Sequence, residues 1–169
     1  MLKKTFAVLF VLFLAGPLLF AQEAPQENKP APQKYALVIG NGAYTDLTPL
    51  DNPVNDANDI TAALQELGFS VDTILNGTLP EMEDAVVRLR ERLSKDENTY
   101  GFFFYAGHGV QSGGENFLIP VDANIPGENY LRVRALSVQA FLDDLNDAQN
   151  SLNVVVLKRR VGIAVRGID

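Results

Sequence analysis

The stretch at residues 101–109, Gly-Phe-Phe-Phe-Tyr-Ala-Gly-His-Gly, limits the possible fold of this chain more than any other feature. Its front half, together with Tyr100, is an aromatic run interrupted only by Gly101, which favours a strand buried on both faces, as in parallel sheets. We expect this strand to end in Ala-Gly-His-Gly. It would then deliver His108, the only histidine of the chain, to the carboxyl edge of the sheet. Open α/β folds collect ligands and chemistry at that edge.

Two small residues flank the histidine. Gly107 and Gly109 are expected to let the backbone turn tightly and to let a substrate approach closely. The Gly109 N–H is also a candidate donor to an oxyanion that develops beside the imidazole. The alternative is a capped strand with a solvated histidine in its turn. We favour the functional interpretation.

The periodicity of the remaining sequence predicts alternating strands and helices. Strands are predicted at 35–39, 70–75, 100–105 and 153–157, with a hairpin return strand at 116–120, and helices at 54–67, 79–94 and from 138 onward. Gly68, Thr78 and Ser137 are predicted to cap the helices. Strand–helix alternation is typical of a doubly wound α/β domain with a parallel sheet.

Both ends of the chain differ from this domain. Residues 1–21 have the pattern of a secretory signal peptide, with Lys3 and Lys4, an apolar stretch at 6–14, and Ala21 for cleavage. That apolar stretch is shorter than the ~20 residues of a membrane span. We therefore expect export to the periplasm or the extracellular space, with no stable membrane span after cleavage. Residues 22–33 contain three prolines and are interpreted as a linker, so the domain is expected at 34–157 and a basic tail at 158–169.

Charge and composition restrict the partners. The net charge is −7, and no Lys or Arg occurs between Tyr35 and Val87, where nine acidic side chains lie. This distribution argues against nucleic-acid binding. It suits a basic peptide or protein partner, although a merely solvated acidic surface explains it as well. The chain has no cysteine, which excludes disulfides, thiolate metal sites and a cysteine nucleophile.

Acidic side chains occur in two helical segments. Asp56 lies at the start of the first predicted helix, where the helix dipole is a sufficient reason for it. The alternative is a carboxylate at the carboxyl edge of the sheet, available to a basic ligand. Asp143, Asp144 and Asp147 are interpreted as a solvated helix face, so no metal site is expected.

Three motifs, in order and spacing, resemble the caspase/metacaspase-type cysteine peptidases, and most of all the bacterial metacaspase-like members or orthocaspases. They are Tyr-Ala-Leu-Val-Ile-Gly at 35–40, Asn-Asp-Ala at 55–57, and Phe-Tyr-Ala-Gly-His-Gly at 104–109. The resemblance covers 34–157 and implies a caspase-like α/β/α sandwich with a mostly parallel central sheet. It also implies peptide bond hydrolysis by a His–Cys dyad.

The resemblance assigns roles to three residues. His108 matches the general acid/base, the Gly109 amide matches the oxyanion donor, and Asp56 matches the residue that binds the substrate side chain before the scissile bond. The implied preference is for Arg or Lys in the substrate. No cofactor is implied, although calcium acts on some relatives.

The chain departs from the family after Leu157. There the family strand runs into an Asp-Ala-Cys-Arg type motif, whereas this chain continues Lys158-Arg159-Arg160. Attack on an amide needs an activated nucleophile beside the base, so we expect an inactive chain. The alternatives are a peptide-binding decoy or a nonfunctional fragment that arose by a frameshift.

The composition after Leu157 motivates the frameshift hypothesis. The last 12 residues carry a net charge of +3, whereas the other 157 carry −10. Codons for residues 160–163, read in a shifted frame with permitted third bases, can spell Cys-Arg-Asp. The frameshift is the favoured reason for the missing cysteine.

Overall fold

The computed structural model of the chain describes residues 30–160, with side chains up to Lys158. The strands are β1 (Gln33–Gly40), β2 (Ser70–Leu75), β3 (Thr99–Ser112), β4 (Glu115–Leu118), β5 (Leu136–Ser137) and β6 (Leu152–Arg160). The helices are α1 (Pro53–Glu66), α2 (Leu79–Leu93), α3 (Leu131–Arg134) and α4 (Val138–Asp147), with a 3-10 turn at Glu128–Tyr130. The expected signal peptide, most of the linker and residues 161–169 lie outside this range.

The central sheet is mostly parallel, as the strand–helix alternation predicts. Its parallel strands follow the order β2-β1-β3-β6, with Gly40 opposite Ala106 and Leu157 opposite Tyr105. The far end of β3 pairs antiparallel with β4, and β4 pairs antiparallel with β5. β3 therefore belongs to both parts of the sheet.

Alternate residues of β3 build the two layers of the core. Phe103 and Tyr105 pack with α2 and α4, where Phe141 is also buried. Phe104 and Ala106 pack on the opposite face, against α1. Full burial of an aromatic side chain of this size contributes about 1.5–3 kcal/mol, so helices on both faces stabilise the aromatic strand.

The helix ends follow the predicted capping residues. Gly68, with φ of +81°, ends α1 in the left-handed conformation. Thr78 begins α2, and its backbone N–H donates to the Glu81 carboxylate at 2.8 Å. The Ser137 hydroxyl accepts the Ala140 N–H at the start of α4.

The expected end of the aromatic strand in Ala-Gly-His-Gly at 106–109 is wrong, because β3 continues to Ser112. Where β1 stops, β4 becomes the new partner, and the Ile119 N–H donates to the His108 carbonyl at 3.1 Å. The chain instead reverses at Gly113 and Gly114, both at positive φ. The expected turn at Gly107 and Gly109 is also wrong, since both lie in extended strand.

The boundaries of the domain differ slightly from the expected 34–157. β1 begins at Gln33, and β6 continues to Arg160, so the first three residues of the expected tail are strand. Backbone pairing with β3 explains this extension, because Arg160 still has a partner, His108, in register. None of the helices between residues 30 and 160 is long and apolar enough to cross a membrane.

Candidate active site

Close contact between the end of β1 and the start of α1 positions the acidic end of that helix. A Cβ atom at Gly40 would lie 2.5 Å from the Pro53 carbonyl oxygen and 2.6 Å from the Ala57 Cβ. Only glycine permits this approach without a shift of the helix. The first turn of α1, with Asp56, is thereby held at the carboxyl edge of the sheet.

Asn41 joins the loops that surround this edge. Its side chain is fully buried; the oxygen accepts the Gly77 N–H at 2.9 Å and the nitrogen donates to the Ile119 carbonyl at 3.1 Å. One amide therefore ties the loop after β1 to the loop after β2 and to the chain leaving β4. A buried side-chain amide needs hydrogen-bond partners, and these loops supply them. The Asn41 hydrogen bonds therefore hold the loops around the histidine in place.

His108 is buried, with 6% of its surface exposed, and its two ring nitrogens differ. Nε2 lies 2.8 Å from the carbonyl oxygen of Thr48. Because a carbonyl only accepts, Nε2 carries the proton of the neutral ring, and Nδ1 presents a lone pair. Nδ1 has no hydrogen-bond partner among the described residues. A lone pair on a fixed imidazole is what a general base requires.

Two tyrosines hold the backbone of His108 on both sides. Its N–H donates to the Tyr44 hydroxyl at 2.8 Å, and its carbonyl accepts from the Tyr105 hydroxyl at 2.7 Å. The two hydroxyls lie 3.2 Å apart, and the Tyr44 ring centroid is 4.5 Å from the imidazole centroid. Burial raises the pKa of Tyr105 well above its ordinary value and also raises the pKa of Tyr44, so both remain neutral.

Gly107 makes room for this pair of hydroxyls. A Cβ atom at this position would lie 2.5 Å from the Tyr105 hydroxyl and 2.6 Å from the Tyr44 hydroxyl. The glycine before the histidine is thus needed for close approach and not for a turn.

A pocket of about 210 Å³ opens beside this segment. Its lining comes from the loop before α1, from α1, β3 and β6: Pro49, Leu50, Asp51, Asn52, Pro53, Asp56, Ala106, Gly107 and Lys158. Asp56, with 25% of its side chain exposed, receives the Lys158 ammonium at 2.9 Å from Oδ1 and 2.8 Å from Oδ2. In this structure the basic group that pairs with Asp56 belongs to a lysine of the same chain.

The register between β3 and β6 places the residues after Leu157 against the histidine segment. Lys158 lies opposite Ala106, and position 160 lies opposite His108. Neighbouring strands are about 4.8 Å apart, so the backbone of residue 160 lies beside that of the histidine.

Among the predicted site residues Asp56 lines the pocket, whereas His108 and Gly109 are not part of its lining. Gly109 is buried in β3 opposite Leu118, and its role as an oxyanion donor stays a prediction. On α4, Asp143 accepts from Gln139 and Asp144 pairs with Arg90. Between residues 30 and 160, no group of three or more His, Cys, Asp or Glu side chains is arranged to hold a metal ion.

Several contacts of the site had weak or no sequence signals. The Thr48 carbonyl gives no sequence signal, because every residue has a backbone carbonyl group. Tyr105 lies in the apolar run and was assigned to the core, yet a buried tyrosine hydroxyl needs a partner, and this requirement could have pointed to a network. The Lys158–Asp56 pair spans 102 residues and depends on strand register.

A family model and two curated relatives match most of this chain. The model of the caspase domain family matches residues 33–158. The human mucosa-associated lymphoid tissue lymphoma translocation protein 1 is 35% identical over 136 residues, which is 80% of this chain. Its mouse homologue is 37% identical over 127 residues, or 75% of this chain. The chain spans only 16% and 15% of the length of these two relatives.

Solved structures share the fold. The Drosophila initiator caspase Dronc superposes with a TM-score of 0.58 at 14% identity, over 73% of this chain and 47% of that one. A protein of Geobacter sulfurreducens gives a TM-score of 0.55 at 18% identity, over 75% of this chain and 49% of that one. These likenesses show a caspase-like α/β fold.

Proposed function

Because this chain belongs to the caspase domain family, we propose that its domain forms a peptide-binding cleft of the cysteine-peptidase type. In this proposal His108 is the general base, and the Asp56 pocket receives a basic side chain of an extended peptide. The chain binds such peptides without hydrolysing them.

The observation that carries the proposal is the state of His108. The imidazole is fixed through Nε2 on the Thr48 carbonyl, and its buried Nδ1 is left without a partner among residues 30–160. A buried polar atom without a partner costs about 1–3 kcal/mol, and proteins keep such atoms mainly at functional sites. A histidine that served only the core would have both nitrogens satisfied.

Preference for Arg or Lys is supported by the charge of the pocket. Asp51 and Asp56 both line it against a single lysine, Lys158, and the surrounding segment from Tyr35 to Val87 contains no basic residue. A pocket of about 210 Å³ is large enough for a single side chain and too small for a folded partner. An Arg guanidinium suits a carboxylate best, because its planar fork can donate two hydrogen bonds to it.

The lack of hydrolysis follows from the missing nucleophile. The resemblance places a cysteine three residues after Leu157, and the residue at that position is Arg160. The strand register independently sets position 160 opposite His108. Ser112 is poorly suited as a substitute, since its hydroxyl is bonded to the Glu128 carboxylate at the turn of the hairpin.

Nuclear magnetic resonance with an Arg-containing peptide tests the proposal. Since the chain has one histidine, the imidazole signals of His108 are assigned without ambiguity. We expect the peptide to shift these signals and the Gly107 amide, while the amides of Gly113 and Gly114 at the hairpin turn stay constant. The variant Lys158→Met removes the ammonium that pairs with Asp56. If millimolar peptide leaves the signals of His108 and Gly107 unchanged in both the wild type and this variant, the proposal is wrong.

A further inference from the structure

We infer that Lys158 is an internal competitor for basic ligands of the Asp56 pocket, so that the chain partly inhibits its own cleft. This inference rests on the proposed function, because it concerns the access of peptides to the same pocket.

The geometry of the ion pair supports competition. The Lys158 ammonium lies 2.9 Å from Oδ1 and 2.8 Å from Oδ2 of Asp56, so it engages both carboxylate oxygens. Both residues line the pocket. A ligand guanidinium or ammonium that takes over both carboxylate oxygens in the same way must therefore displace Lys158.

The backbone keeps the competing ammonium close to the pocket. Lys158 lies in β6, where pairing with Ala106 of β3 holds its backbone at the pocket wall. A tethered group has a high effective concentration at its site. The Lys158 ammonium can therefore compete with a ligand for Asp56 although no competing molecule is present in solution. Its position is set by strand register and does not depend on a mobile loop.

The exposure of the pair makes this competition reversible. The Lys158 side chain is 63% exposed and the Asp56 side chain is 25% exposed. Solvent-exposed pairs of this kind stabilise weakly, so the competition should reduce the apparent affinity for a basic ligand by no more than about fivefold, the equivalent of about 1 kcal/mol. A peptide with other contacts in the cleft can then displace the lysine.

A purely structural pair between β6 and α1 is the opposing explanation. In that case Lys158 would tie the strand to the helix without affecting ligands. The two explanations differ in the selectivity of the pocket, measured as the ratio of the affinities for an Arg peptide and its norleucine analogue. Competition lowers this ratio, because only the Arg peptide exchanges one ion pair for another.

The test compares this ratio by calorimetry in three proteins: the wild type, Lys158→Met and Lys95→Met. The last variant is the matched control, since it removes the same charge from a lysine outside the Asp56 pocket. We expect Lys158→Met to raise the Arg-to-norleucine ratio by about two- to fivefold, and Lys95→Met to leave it unchanged. An equal ratio in all three proteins, with peptide still bound at His108, overturns the inference and leaves the proposed function standing. Absence of binding at His108 in every protein overturns the proposed function itself.

A second measurement uses the unmodified wild-type protein and does not depend on the folding of a variant. Limited acetylation of lysines, followed by mass spectrometry, reports the accessibility of each ammonium group. The Arg peptide should accelerate acetylation of Lys158 relative to Lys95, because it releases Lys158 from Asp56. Protection of Lys158, or no change in its rate at saturating peptide, contradicts displacement.

Discussion

Substitution of Arg160 by cysteine tests whether the histidine of this domain can activate a thiol. Position 160 lies opposite His108 in the parallel pairing of β3 and β6, and the wild type has no cysteine. Arg160→Cys therefore adds the only thiol of the chain at the backbone position paired with His108, whose Nδ1 has no hydrogen-bond partner between residues 30 and 160. The expected result is a thiolate–imidazolium pair with a depressed thiol pKa.

The size of the depression follows from the geometry. Neighbouring strands are separated by about 4.8 Å, and side chains at paired positions of a parallel sheet project from the same face. Two unit charges about 4 Å apart at an effective dielectric constant of about 20 interact by roughly 4 kcal/mol, or about 3 pKa units. Burial opposes part of this effect, so the thiol pKa should fall from about 8.5 to between about 5.5 and 7.5.

The pH dependence of alkylation by iodoacetamide measures this pKa directly. Lys95→Cys is the control for an exposed thiol, and its rate should rise with a midpoint near 8.5. Because Lys158 and Arg159 are also cationic neighbours, the double variant Arg160→Cys with His108→Ala separates their influence from that of the imidazole. Its midpoint should return most of the way to the control.

Two results would refute the reasoning. A midpoint near 8.5 in Arg160→Cys would mean that the thiol and the imidazole do not meet. A depressed midpoint that survives removal of His108 would assign the effect to the basic neighbours alone. In both cases the dyad geometry proposed for this cleft is incorrect.

Four further predictions concern stability, activity and processing. Gly107→Ala should lower the free energy of unfolding by about 1–3 kcal/mol in urea titrations, because its Cβ would overlap two tyrosine hydroxyls, whereas Gly127→Ala should change it little. Burial raises the pKa of Tyr105 above its unfolded value near 10, so this residue stabilises the fold fully below pH ~10 and loses that contribution as the pH rises further. Tyr105→Phe should therefore flatten the loss of stability above pH ~10 in thermal melts. Wild-type protein should not hydrolyse Arg or Lys reporter peptides, and turnover abolished by His108→Ala would reveal an unexpected nucleophile. We propose export with cleavage after Ala21; mass spectrometry of the mature protein checks this, and retention of Met1 in cytosolic protein would contradict it.

The fold was predictable where local signals determine it. The β2 strand has the predicted bounds, and Gly68, Thr78 and Ser137 cap the helices as expected. These features depend on neighbouring residues, such as a glycine that tolerates positive φ or a hydroxyl beside a helix start. The alternation of such elements then gave the α/β class and the mostly parallel sheet.

The predictions failed where distant segments decide the outcome. β3 continues past His108 because β4 replaces β1 as its partner, and β6 continues past Leu157 because β3 is still beside it. Strand length is then set by pairing, which local sequence does not encode. The same limit applies to the site, since motifs identified His108 and Asp56 but not the partners that the fold brings to them.

The contact between the imidazole and the Thr48 carbonyl has a consequence for how this domain changes over evolution. A carbonyl group belongs to every amino acid, so substitutions at position 48 leave the acceptor in place provided that the loop keeps its length and path. Insertions and deletions in that loop, by contrast, would move the acceptor away from the ring. Sequence drift in a domain without a nucleophile would therefore leave the orientation of His108 unchanged as long as the loop keeps its length. A single base change that supplied a thiol at the paired strand position would then act beside a histidine that is already fixed.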